Sequence, residues 1–312
     1  MPEPLQIALL LGGPSAEREV SLASGAAMAG ALRGLGHQVR EVDPQTSDWA
    51  LPSGTEVVCL ALHGTYGEDG TVQERLEALG VPYTGCDAAA SRLAFDKARA
   101  KECFARAGVP TPRWLVLDRP PAAWPDGWTL PVVVKPLCQG SSVGLRFVER
   151  EADLAAAVEA ALRCDDRALV ETLVSGRETT VGILERAALP VVEIRPRAGR
   201  YDYRNKYTRG ATDYFCPADF DPATTERIQA AGRAAFEAVG GRDYGRVDVL
   251  VDGDGAPWVL EVNTLPGMTE TSLLPKAAAA AGLGFAALCQ KMVDLALARR
   301  ARSGASNPKG GR

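Results

Sequence analysis

The sequence predicts a mixed α/β and α+β protein built in three units. Three observations predict it. From Leu5 to Leu79, apolar strands alternate with helical segments, the pattern of a small parallel sheet. From Val132 to Leu184, several strands surround a single helix, the pattern of an α+β unit. From Gly245 to Met268, GRVDVLVDGDGAPWVLEVNTLPGM reads as a hairpin with one polar and one apolar face, and it organises the third unit.

In chain order, Leu5–Leu11 is a buried strand that runs into Gly12-Gly13. It is too short, and lacks the preceding basic residue, for a signal peptide. A helix over Ser21–Leu35 follows, then strands at Gln38–Val42 and Val57–Leu62 and a helix from about Thr71 to Leu79, stopped by Gly80 and Val81-Pro82. In a parallel sheet, ligands bind beyond the carboxyl ends of the strands. The segments Gly12–Glu19 and His63–Asp69 both follow strands and occupy that position.

A helix over Asp87–Gly108 and a Pro-rich connection, Arg119–Pro131, lead to the strand Val132–Lys135. The loop LCQGSSVG, a strand at Leu145–Val148 and a helix at Glu149–Arg163 come next, then strands at Ala168–Leu173, Thr179–Leu184 and Leu189–Ile194. A long polar loop over 199–215 precedes a helix from about Pro222 to Val239. Beyond the hairpin lie helices at Thr271–Ala281 and Phe285–Arg300, and SGASNPKGGR reads as a disordered tail.

Composition narrows the function classes. With 46% hydrophobic and 24% charged residues, 312 residues suffice for a sizeable core in a soluble chain. A net charge of -4 and 6% aromatic content argue against a general nucleic-acid binder. Seven cysteines without a CxxC spacing point to reduced thiols in the cytoplasm, not to a disulfide frame or zinc site. No apolar run reaches membrane-spanning length.

The chemistry-bearing candidates are few. On the hairpin, Arg246 and Asp248 share a face, and a register with Asp248 opposite Val259 or Glu261 brings Glu261 and Asn263 onto it. Such oxygen donors suit a hard cation, although the alternation also fits a solvated amphipathic hairpin. Small residues at 139–144 would let backbone N–H groups approach phosphate, and the same stretch fits a plain loop. Lys135 ends a buried strand, where an ammonium needs an anion. Glu171 and Glu178 are strand-end carboxylates. The 199–215 loop carries Lys206 and four tyrosines, a lid composition. Glu17 fits either a site residue or a helix-starting acid, and His63 either a site residue or a backbone-bonded strand-end histidine.

Eight stretches in order resemble the D-alanine–D-alanine ligases of the ATP-grasp superfamily. They are LLGGPSAEREVSLASG (10–25), ALHGTYGEDGTVQ (61–73), PYTGC (82–86), DK (96–97), VVKPLCQGSSVG (133–144), YDYRNKYTRGATDYFCPA (201–218), GRVDVLVD (245–252) and LEVNTLPGMTETSLLP (260–275). The resemblance spans almost the whole chain to about residue 300. It implies an ATP-grasp fold of three domains around one active site. These are an N-terminal α/β domain (1–94) with the first D-alanine site, a central subdomain (95–185), and a C-terminal subdomain (186–302) with lid and metal hairpin, followed by the tail (303–312).

The activity implied is ATP-dependent joining of two D-alanines through a D-alanyl phosphate, for cytoplasmic peptidoglycan-precursor synthesis by a homodimer. By the same resemblance, Asp248, Glu261 and Asn263 hold two Mg²⁺ or Mn²⁺ ions against ATP. Lys97 and Lys135 meet the α and β phosphates, Ser142 lies in the phosphate loop, and Lys206 meets the γ-phosphate. Glu171 and the backbone near Val174 read adenine, and Glu178 the ribose. Glu17 anchors the first D-alanine's ammonium, with His63 beside it. Arg246 and the Gly267 N–H form the oxyanion hole, and Ser272 and Leu273 bind the second D-alanine's carboxylate. Ser141 and Tyr207 link to Glu17 and close the lid.

Two departures from the commoner pattern stand out. Leu265 replaces a small polar residue, and Leu137-Cys138-Gln139 replaces a more polar loop, which makes Cys138 a candidate for thiol sensitivity. Relatives that form a depsipeptide carry another residue at the position of Tyr207, so tyrosine favours a dipeptide over a D-lactate product; D-serine is a further rival second substrate. A non-catalytic nucleotide sensor would have no need of Arg246 or Lys206. A biotin-dependent carboxylase component would be far longer.

Overall fold

A computed structural model of the chain describes residues 3–46, 48–140, 143–199, 208 and 210–305. The first sheet is parallel, with β1 (Gln6–Leu10) between β2 (Gln38–Val42) and β3 (Val57–Leu60). Strands β1 and β3 are short and almost wholly apolar because both faces are covered, whereas the edge strand β2 exposes Gln38, Arg40 and Glu41. Helix α1 (Arg18–Gly34) packs small residues, Ser21, Ser24 and Gly25, inward. Helix α2 (Thr71–Ala78) follows the loop after β3. The loops at Gly12–Glu17 and His63–Asp69 leave the carboxyl ends of β1 and β3 on the same edge, as expected.

The predicted helix over 87–108 is two helices, α3 (Ala88–Phe95) and α4 (Lys97–Arg106). Asp96 breaks it: its backbone is extended and its side chain accepts from the Arg99 N–H, capping the second helix. This cap presents Lys97 at the first helical position. Both helices pack through Ala90, Ala94, Ala100 and Phe104 into the core that holds Val247, Val249 and Phe236.

The second sheet is antiparallel, in the order β4-β7-β5-β6. Its strands are β4 (Trp114–Leu117), β5 (Val132–Pro136), β6 (Arg146–Val148) and β7 (Ala168–Thr172), with α5 (Leu154–Leu162) against it. The third sheet runs β11-β10-β8-β12-β13, with β9 (Ala187–Ala188) paired to β8. It contains β8 (Gly176–Leu184), β10 (Val192–Pro196), β11 (Thr212–Phe215), β12 (Tyr244–Asp252) and β13 (Pro257–Asn263).

Two readings change here. The strand at 179–184 does not close the second unit: β8 pairs along its whole length with β12, so the sheet boundary falls after Thr172. The 199–215 segment is not all loop, because β11 pairs with β10. Helix α6 (Pro222–Ala238) covers the third sheet, and α7 (Leu273–Ala280) and α8 (Phe285–Ala305) pack their apolar residues into the core of the first unit. Helix α8 extends three residues past 302, into the segment read as a tail; residues 306–312 lie outside the described residues. No single helix among the described residues is long and apolar enough to cross a membrane.

Candidate active site

The β12–β13 hairpin sets the geometry. Asp248 pairs with Glu261 and Arg246 with Asn263, so all four polar side chains share one face. A register shift between Asp248 and Val249 changes the rest. The alternation expected along Trp258–Asn263 placed Leu260 in the core and Val259 on the polar face. The bulge reverses this: Val259 is fully buried opposite Val249, and Leu260 and Glu261 both face the cleft.

That cleft is a cavity of about 340 Å³ walled by the second and third sheets. Its apolar walls, Val133 and Phe147 on one side and Ile194, Leu250 and Leu260 on the other, form a slot for a flat aromatic group. Val174 and Glu178 line this region. At the other end stand Lys97, Lys135, Asp248 and Glu261. Lys97 Nζ donates to Gln139 O at 2.7 Å and lies 3.5 Å from Glu261 Oε2.

The Glu171 carboxylate is 2.6 Å from Lys101 Nζ on one oxygen and 2.6 Å from Lys135 Nζ on the other. All three side chains are nearly or fully buried. Burial alone would push the Glu171 carboxyl up, but the two ammonium groups outweigh it and hold it at about 2. Burial would likewise pull Lys135 down, yet Glu171, Glu261 and Asp248 together raise it. The Glu171 side chain thus ties Lys101 and Lys135 together, and it also lines the slot beside Val174 and Glu178. Lys101 carries no motif signal except its i, i+4 spacing from Lys97 on α4, which puts both on one face.

Asp248 accepts from Arg246 Nε (2.8 Å) and Nη2 (2.9 Å), from Thr180 Oγ1 (2.8 Å) and from Asn263 Nδ2 (3.3 Å). The donor set Asp248, Glu261 and Asn263 is all oxygen, which suits Mg²⁺ or Mn²⁺ and not a soft ion. Among the described residues no group of three or more His, Cys, Asp and Glu side chains could hold an ion. Two carboxylates and an amide leave the rest of a hard cation's shell to other oxygens, such as those of phosphate.

Glu17 sits at the N-cap position of α1, and its side chain makes no capping bond. It is wedged where two glycines give it room. A Cβ on Gly64, whose φ is +66°, or on Gly140 would lie 2.7 Å from Glu17 Oε2. Gly140 thus brings the phosphate loop against the first unit. Glu68, absent from the expected site, faces the same place, lining a small cavity with Lys97, Gly140, Glu261 and Asn263. Desolvation, then the nearby Glu17, push the Glu68 carboxyl up to about 8, against the Gly64 N–H and Arg246. The acidic pair Glu68-Asp69 in a glycine-rich loop after a strand was the available signal.

His63 is engaged on both ring nitrogens. Its Nδ1 bonds Leu265 O at 2.9 Å and its Nε2 bonds Ser24 Oγ at 3.1 Å. Gly267 lies against Ser272: a Cβ there would meet Ser272 Oγ at 2.9 Å. Ser272 is the N-cap of α7 without a capping bond, and its Oγ instead accepts from the Thr269 N–H, so Leu273 opens the helix beside Gly267. Ser141, Ser142, Lys206 and Tyr207 lie outside the described residues. Cys138 is half-buried, and burial and Asp165 push its thiol up to about 11. The raised pKa lowers its thiolate fraction and so slows its reaction with alkylating agents.

Residues 33–86 match the family model described as D-ala D-ala ligase N-terminus, and residues 104–294 match D-ala D-ala ligase C-terminus. The D-alanine--D-alanine ligase of Methylacidiphilum infernorum (isolate V4) is 45% identical over 300 residues, covering 95% of this chain and 97% of that protein. This chain belongs to the D-alanine–D-alanine ligase family. Family membership makes it an ATP-dependent ligase of the ATP-grasp fold, as the sequence resemblance implied. The D-alanine--D-alanine ligase of Bacillus anthracis complexed with ATP superposes with a TM-score of 0.84 at 32% identity, covering 96% of this chain and all of that one. The VanG D-Ala:D-Ser ligase of Enterococcus faecalis superposes with a TM-score of 0.83 at 28% identity, over 94% and 99%. The fold is thus shared by D-alanine–D-alanine ligases and a ligase named for D-serine, and the second substrate is decided within the site.

Proposed function

We propose that this protein joins two D-alanines to D-alanyl-D-alanine at the expense of ATP. The observation that carries the reading is the convergence of two sites at one end of the inter-sheet slot. Lys97, Lys135, Asp248 and Glu261 line the slot where phosphates would lie; Arg246 bonds Asp248, and Glu17 lies against Gly140. Adenine fits between the two sheets near Val174, with Glu178 toward the ribose. Lys97 and Lys135 meet the α and β phosphates, with Lys135 held in place by Glu171. Phosphoryl transfer between two anions needs positioning and charge neutralisation more than a nucleophilic side chain. Asp248, Glu261 and Asn263 would hold one or two Mg²⁺ or Mn²⁺ ions, which supply that neutralisation on the phosphates when bound.

Glu17 takes the ammonium of the first D-alanine, and the substrate's carboxylate attacks the γ-phosphate. The amine of the second D-alanine then attacks the acyl phosphate carbonyl. Charge on the carbonyl oxygen falls to Arg246 and the Gly267 N–H. Ser272 and the N–H of Leu273 face the second carboxylate. Lys206 and Tyr207 close the lid with Ser141 over the phosphates, with Ser142 in the phosphate loop; the tyrosine favours a dipeptide over a depsipeptide. The product enters peptidoglycan-precursor synthesis in the cytoplasm, and the enzyme works as a homodimer.

Phosphate release with ATP and Mg²⁺ tests the reading. D-alanine is expected to stimulate release, and L-alanine and D-lactate alone are not. Absence of D-alanine-dependent release would overturn it, and a stronger response to D-serine as second substrate would move the protein to the other substrate class.

A further inference from the structure

Resting on the ligase reading, we infer that Ser24, His63 and Glu68 form a clamp in the first unit that positions the oxyanion-hole peptide of the third. The clamp grips the segment Thr264–Met268 at both ends. The Met268 N–H donates to Ser24 Oγ at 3.1 Å. Ser24 Oγ lies 3.1 Å from His63 Nε2, and His63 Nδ1 lies 2.9 Å from Leu265 O. The Glu68 carboxyl group accepts the Gly64 N–H at 2.8 Å and also the backbone N–H of Leu265.

In the neutral ring the proton positions follow from the partners. A carbonyl oxygen only accepts, so Nδ1 carries the hydrogen and Nε2 is the acceptor. The Ser24 hydroxyl therefore donates to Nε2, and its lone pair receives the Met268 N–H. Leu265 is held on both of its backbone groups, by His63 on the carbonyl and by Glu68 on the amide. Pro266 has a fixed φ and no N–H to compete. Within Thr264–Met268 every residue is buried except Gly267. Gly267, the one residue of the segment that is not buried, is thus strung between the pinned Leu265 and Met268.

The clamp explains why a buried polar chain is kept in an apolar surrounding. Ser24 is fully buried and His63 is 6% exposed. Ser24 lies seven residues after Glu17 on α1, on the same helical face. One helix therefore carries the anchor for the first substrate and the pin for the peptide that meets its carbonyl. Ser24, His63 and Glu68 are positioning residues: each acts through Leu265 or Met268.

The test is Ser24→Ala in the full chain, with kcat, KM for ATP, KM for the first D-alanine, and affinity for a phosphinate dipeptide that mimics the tetrahedral intermediate. Misplacing a donor peptide predicts a fall in kcat of about 10–100-fold. The phosphinate is expected to weaken by a matching factor, while both KM values stay within about twofold because ATP and ammonium contacts are untouched. Ser24→Thr, which keeps the hydroxyl, is expected to restore phosphinate affinity. An unchanged kcat in Ser24→Ala overturns the inference, and so does a fall in kcat without weaker phosphinate binding. A wild-type protein without D-alanine-dependent turnover fails the ligase reading instead, a separate outcome.

Discussion

Arg246→Ala is expected to lower kcat by about 10²–10³-fold, roughly 3 kcal/mol, while leaving KM for ATP within a few-fold. The separation follows from what surrounds the guanidinium. Arg246 is 8% exposed and donates through Nε and Nη2 to Asp248. Its removal would strip two donors from a carboxylate that is to hold metal. Asp248 keeps two others, Thr180 Oγ1 at 2.8 Å and Asn263 Nδ2 at 3.3 Å, so its orientation survives. What is lost is the positive charge beside the reacting carbonyl, which matters most when that oxygen becomes an anion. Steady-state kinetics decides between the two roles. A loss confined to KM for ATP would make Arg246 a support for Asp248 and remove it from the oxyanion hole.

The second large effect is on stability. Glu171→Gln leaves Lys101 and Lys135 buried without their shared carboxylate, and breaking such a buried pair costs about 3–5 kcal/mol. In thermal unfolding this is a Tm lowered on the order of 5–10 °C. KM for ATP should rise as well, because Lys135 loses the contact that aims it. The pH dependence has a definite sign. The carboxyl sits at about 2 when folded, against an ordinary 4.5. Its stabilisation is complete above about 4.5 and is lost as pH falls toward 2. The stability gap between wild type and Glu171→Gln should therefore close across that window. A variant as stable as wild type at neutral pH would show that the three charges do not act as a unit.

The parts of the site that sequence could reach are those carried by one local pattern. Alternation put Arg246 and Asp248 on one face and Glu261 and Asn263 on one face, and left Asp248 opposite Val259 or Glu261; the structure pairs it with Glu261. Strand-end glycines placed Glu17 and Gly140, since close approach leaves room for no Cβ. What stayed hidden depends on partners distant in the chain. Lys101 on an amphipathic helix looks solvated until Glu171 is brought to it from another element. Ser24 looks like a small packing residue until Met268 and His63 meet it. The bulge at Asp248/Val249 adds one residue and leaves no compositional trace, so the fates of Val259 and Leu260 were exchanged. The position of Glu171 at the end of β7 is legible, whereas the two lysines that meet its side chain are not.

The fate of one oxygen atom tests the chemistry most directly. D-alanine labelled with ¹⁸O in its carboxyl group, turned over with ATP, gives two products to weigh, phosphate and dipeptide. If the first D-alanine's carboxylate attacks the γ-phosphate, one carboxyl oxygen leaves with the phosphate when the second amine displaces it. Released phosphate should then carry one ¹⁸O per dipeptide formed. Dipeptide formed alongside unlabelled phosphate would contradict the acyl phosphate route, and with it the placement of Lys135, Asp248 and Glu261 as the site where that carboxylate is activated.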